Sequence, residues 1–115
     1  MSTGCANCHK PIMTTGPNSV AALDGRPVAL FSDLLLHDMG SMADGIAQGD
    51  ASMTQIKTPP LWGLRASGPY LHDGSAESVD DAIRAHRGEG KITRDRYIKL
   101  SPDKRQALLD FLNSI

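Results

Sequence analysis

Cys5-Ala6-Asn7-Cys8-His9 carries the only two cysteines of the chain, two residues apart and followed at once by histidine. This is the haem-attachment pattern of c-type cytochromes. Two thiols at that spacing can add across the two vinyl groups on one edge of a haem. The next residue then brings its imidazole to the iron. The expected cofactor is therefore one covalent haem c on Cys5 and Cys8, with His9 as a ligand. Three other readings compete. A disulfide would close a tight, strained loop. A thioredoxin-like dithiol would want a βαβ context, and none follows. A zinc-binding module would use Cys5, Cys8, His9 and one more histidine, but adjacent Cys8 and His9 rarely reach one tetrahedral ion together.

Composition fits a cofactor. The 115 residues suggest one domain spanning 1–115, and only 40% of them are apolar, with two Phe, one Trp and two Tyr. Eleven Gly and seven Pro imply many turns. A chain this short buries a modest core, and a ligand that binds only the folded form would add to it. Net charge is −1, so no basic face suggests nucleic acid. The longest apolar pieces, Val28–Phe31 and Leu34–Leu36, are far too short to span a membrane. The opening Met1-Ser2-Thr3-Gly4 lacks the pattern of an export signal. A free-standing cytochrome would carry such a signal and a helix before its haem motif, so a piece of a longer, periplasmic protein is expected.

Residues 1–10 are expected to place the haem motif on a short helix. Residues 11–30 read as loop, punctuated by Gly16-Pro17-Asn18 and Asp24-Gly25. Lys57-Thr58-Pro59-Pro60 cannot be helix interior, and Leu61–Arg65 reads as a short helical turn. A helix is expected near 78–87, capped by Ser78, with Asp80 and Asp81 as first-turn electrostatics. Val79, Ala82, Ile83 and His86 fall on one face of it, and Gly88 and Gly90 end it. A second helix is expected over 102–114, with Ser101 as cap and Pro102 in the first position. Its Leu108, Leu109, Phe111, Leu112 and Ile115 read as a buried stripe.

Three further segments occur in order: Phe31–Gly40 (FSDLLLHDMG), Lys57–Gly74 (KTPPLWGLRASGPYLHDG) and Ala82–Gly90 (AIRAHRGEG). With the haem motif, they resemble the C-terminal haem domain of the bacterial di-haem cytochrome c peroxidase superfamily. The similarity is closest to its di-haem "thiol oxidoreductase"-like branch. The resemblance implies an all-α, cytochrome c-like domain with long loops wrapped around one haem. It also implies His9 as the proximal ligand. The distal ligand of this haem in the peroxidases lies fourteen residues after the histidine of the HDG motif. Here that motif is His72-Asp73-Gly74, and the position is His86. The helix-face reading points to the same residue.

Bis-histidine ligation by His9 and His86 is thus the first expectation. Met39 is the main rival, followed by Met13, Met42 and Met53, or an open sixth site. A His/Met pair would raise the iron's potential relative to two imidazoles. Arg65 and His72 are candidates for haem propionates. Trp62, Pro59 and Tyr70 are candidates for the haem edge, and His37 and Asp38 are read as fixing a turn. Only one haem motif is present, whereas peroxide cleavage in that superfamily occurs at another haem. The expected role is electron transfer to a redox partner protein or a second haem domain. The alternative is a domain of a di-haem enzyme whose catalysis lies elsewhere.

Overall fold

The computed structural model describes residues 3–115; Met1 and Ser2, at the head of the expected N-terminal helix, lie outside the described residues. The motif segment is a 3-10 turn, Cys5–Asn7, rather than a regular helix. Four short strands follow: β1 (Met13–Thr14), β2 (Pro27–Val28), β3 (Leu36–Asp38) and β4 (Gln55–Lys57). Three helices close the chain: α1 (Val79–Ala85), α2 (Lys91–Ile98) and α3 (Pro102–Leu112). Further 3-10 turns lie at Gly40–Met42, Leu64–Ala66 and Gly88–Gly90.

The fold is not all-α. It holds two antiparallel two-stranded ladders, β1 with β2 and β3 with β4, and much of the rest is loop. In β1–β2, Met13 faces Val28 and Thr14 faces Pro27. Pro27 is tolerated because the ladder is all edge. In β3–β4, His37 faces Ile56. Thr58 precedes Pro59, which disfavours helical backbone there and extends the chain. That extended run supplies β4, and Leu36–Asp38 pairs with it. The expected turn at Leu61–Arg65 forms slightly later, at Leu64–Ala66, entered through Gly63 at φ +63°.

Helix α1 begins as expected. The Ser78 hydroxyl accepts from the Asp81 amide at 3.1 Å and donates to the Asp81 carboxylate at 2.6 Å. Helix α2 was not foreseen. Its sequence, Lys91–Ile98, is half charged and lacks an apolar stripe. It is held by Lys91–Asp95 and Arg94–Asp95 ion pairs and by one buried residue, Tyr97. The Tyr97 hydroxyl donates to Asp80 of α1. The Arg84 and Arg105 guanidinium carbons lie 5.9 and 5.7 Å from its ring centroid. Helix α3 starts at Pro102 as expected, but the Ser101 side chain makes no capping bond. Its apolar stripe is not buried: Phe111 is 47% exposed. The Phe111 and Phe31 rings meet edge-on, with centroids 5.9 Å apart.

Among the described residues, burial is confined to a few side chains. Leu30, Met39, Ala76, Val79 and Tyr97 are the buried apolar ones, joined by the polar Ser32, Asp33 and Thr58. Among the described residues, no helix is long and apolar enough to cross a membrane.

Candidate functional site

His9 follows the 3-10 turn, and its Nδ1 donates to the Phe31 carbonyl at 3.0 Å. A carbonyl only accepts, so Nδ1 carries the proton and Nε2 keeps its lone pair. A ring held this way is oriented to ligate through Nε2. Burial pushes the His9 pKa down, against the pull of the Phe31 carbonyl. The neutral ring that results is the form a metal requires.

The segment that receives His9 is built for it. The Phe31, Ser32 and Asp33 amides donate to the carbonyls of Pro11, Lys10 and Cys8 at 3.5, 3.0 and 2.8 Å. Phe31 and Leu34 adopt φ +51° and +60°, left-handed values that cost energy in residues with a Cβ. Ser32, fully buried, compensates. Its hydroxyl donates to the Thr58 carbonyl at 2.7 Å and accepts from the Leu34 amide at 2.9 Å. Cys5 and Cys8 are free thiols, each half-buried.

His86 stands where α1 ends, with ψ turning to 131°. Its Nδ1 donates to the Ala82 carbonyl at 2.8 Å. It therefore has the same tautomer as His9, with Nε2 open. His86 is also close enough for a charge on it to lower the His9 pKa. Met39 converges on the same spot. A Cβ built on Gly90 would stand 3.1 Å from both the His86 Cδ2 and the Met39 Cε. The two leading candidates for sixth ligand are thus neighbours, with glycine leaving room for both. Met13 is half-buried in β1, Met42 half-buried in a 3-10 turn, and Met53 59% exposed.

His37 lies in strand β3, paired with Ile56, rather than in the expected turn. Its Nε2 meets Asp33 Oδ2 and its Nδ1 meets Glu89 Oε2, both at 2.9 Å. Hydrogen bonds from Glu89 and then Asp33 raise its pKa. The Glu89 carboxylate is held down by His37 and by the Asp38 amide, which donates at 2.8 Å. Burial pushes the Asp33 pKa up, but bonds from the Leu35 amide and His37 outweigh it and the net shift is downward. The Cys8 sulfur lies 3.9 Å from His37 Nδ1. Burial, then Asp33 and Glu89, raise its thiol pKa.

The remaining expected residues sit farther out. Trp62 is 57% exposed, and its indole donates to the Ala29 carbonyl. Pro59, Arg65 and His72 are exposed, and Tyr70 is half-buried. Tyr70 exchanges backbone bonds with Ala76, closing a loop that contains His72. The structure does not gather Cys5, Cys8, His9 and a second histidine as a zinc set. Among the described residues, the ligand atoms that do converge, within 4.8 Å, belong to Cys8, Asp33 and His37.

Sequence reasoning missed Ser32, Asp33 and Glu89. The available signal was the polar pair inside an otherwise apolar run, Phe31–Leu36. Buried polar residues in such a place have dedicated partners.

The donor set suits a covalent haem: two free thiols beside a neutral imidazole, and a second imidazole presenting the same nitrogen. Comparison with known proteins points to haem binding as well. The sequence model of the family described as "Di-haem oxidoreductase, putative peroxidase" matches residues 1–115. The chain is 28% identical over 97 residues to methylamine utilization protein MauG of Methylophilus methylotrophus, covering 74% of this chain and 29% of that protein. It is 26% identical over 133 aligned positions to cytochrome-c peroxidase IdrP2 of Denitromonas iodatirespirans, covering 97% of this chain and 36% of that protein. The chain thus spans about a third of the length of these relatives. No solved structure matches.

Proposed function

The chain belongs to the di-haem oxidoreductase family, and from that premise we propose that residues 1–115 form one cytochrome domain that relays single electrons. Membership carries haem binding and a haem-linked redox role. The finer reading rests on the matched tautomers of His9 and His86, both held through Nδ1 by backbone carbonyls. Cys5 and Cys8 would hold one haem c by thioethers, and His9 and His86 would ligate its iron through Nε2. When bound, the haem supplies the one-electron ferric/ferrous couple; the protein supplies position and field.

Each part of the chain has a task in this reading. The Phe31 carbonyl fixes the His9 ring and strengthens it as a donor. Gly90 admits the His86 ring beside Met39. With both His9 and His86 as ligands, the bound haem would leave no site for peroxide, and the domain would pass electrons rather than cleave peroxide. Its partner would be a second haem domain or a redox protein, in the periplasm, where thioether attachment takes place. A relative is named as a cytochrome-c peroxidase, and this chain covers 36% of that protein.

Intact mass beside a pyridine haemochrome spectrum tests the proposal. A gain of one haem, with sharp low-spin bands on reduction, is expected from chain matured in a compartment that attaches haem. Colourless protein from that preparation, with both thiols free, would overturn it.

A further inference from the structure

The attachment motif and the segment bearing His86 are joined by a chain of bonds through three charged residues. The Asp33 amide donates to the Cys8 carbonyl at 2.8 Å. The Asp33 carboxylate meets one nitrogen of His37, and Glu89 meets the other, both at 2.9 Å. Glu89 lies three residues beyond His86 in the Gly88–Gly90 turn. Its second oxygen accepts the Asp38 amide at 2.8 Å.

Both nitrogens of His37 face carboxylates, so both carry protons and the ring is a cation. The bridge therefore sums to two negative charges and one positive. It passes the Cys8 sulfur, which lies 3.9 Å from His37 Nδ1. The Asp33 side chain is only 4% exposed, so water screens its charge poorly. Ferric haem iron carries one more positive charge than ferrous iron. Each member of the bridge must then bias the couple according to its own sign.

We propose that Asp33, His37 and Glu89 form a charged bridge that positions the His86 segment against the attachment motif and sets the potential of the haem bound there. This rests on the haem reading above. Glu89 and Asp33 stabilise the ferric form, whereas His37 opposes them. A purely structural bridge would not sort its members by sign.

The test is potentiometry on the haem-loaded chain at low ionic strength, below the ordinary imidazole pKa of 6.5. Glu89→Gln is the primary variant, because its side chain is 55% exposed and its loss leaves the buried pair intact. It is expected to move the midpoint upward, as is Asp33→Asn. His37→Gln is expected to move it downward, and His37→Arg, which keeps the cation, to return it toward wild type. Midpoints that stay fixed, or that all move one way, in proteins that keep low-spin spectra would overturn the bridge and leave the haem reading standing. Wild-type chain without haem would instead defeat that earlier reading.

Discussion

Gly88 backs onto Asp38 so closely that a Cβ added to it would stand 2.1 Å from the Asp38 carbonyl oxygen. This contact, together with φ +49° at Gly88, fixes where the chain turns after His86. The neighbour is backbone and cannot swing aside. Gly88→Ala should therefore cost stability, roughly 1–3 kcal/mol as backbone strain. The check is a lower urea midpoint at unchanged slope. A midpoint equal to wild type would show that the turn is not held here.

The sixth ligand can be assigned by two substitutions in the haem-loaded chain. His86→Ala should turn the iron high-spin, while Met39→Ala should leave the low-spin bands in place. The bis-histidine iron should also have a lower potential than a His/Met centre. The opposite pair of spectra would make Met39 the ligand.

Ser32→Ala should be costly despite removing a single oxygen. It strands the Thr58 carbonyl and the Leu34 amide, both now bonded to the Ser32 hydroxyl. Leaving a buried polar group such as the Thr58 carbonyl unpaired costs about 1–3 kcal/mol. Thermal unfolding would read the loss. The Soret position should respond too, since Phe31, which orients His9, is the adjacent residue.

Acid should loosen the contact between α1 and α2. Arg84, bonded at 2.6 Å, and the Tyr97 hydroxyl hold the Asp80 carboxyl below its ordinary 3.8. A depressed carboxyl stabilises the fold above its unfolded value, and that contribution disappears as pH falls through the folded value. Asp80→Asn should thus be less stable than wild type near neutrality, with the gap closing below pH 3.8. Because Asp80 is about a third exposed, the effect is moderate. Parallel stability curves for the two proteins would contradict this assignment.

Local signals were legible in the sequence, whereas distant pairings were not. The Ser78 cap and the Pro102 start need only neighbouring residues, and both stand where sequence places them. The haem motif, too, is five adjacent residues. Helix α2 escaped because its anchors lie on distant chain: Tyr97 reaches Asp80 on α1, and Arg94 donates to the His86 carbonyl. The β3–β4 ladder escaped because Leu36–Asp38 gains its partner some twenty positions later. His37 was read as a turn residue because neither Asp33 nor Glu89 is adjacent to it. Its role exists only once the Gly88–Gly90 turn has come back to β3.

That return has a kinetic meaning. His37 and Glu89 are separated by 52 positions, and His9 and Phe31 by 22. Closing large loops must precede the bonds that reward it, which slows folding. The three C-terminal helices contact one another over short stretches of chain, so they should mature before the iron pocket does. Pulse-labelled hydrogen exchange would then protect amides of α3 ahead of those of Leu36–Asp38, making the pocket the last region to acquire its shape.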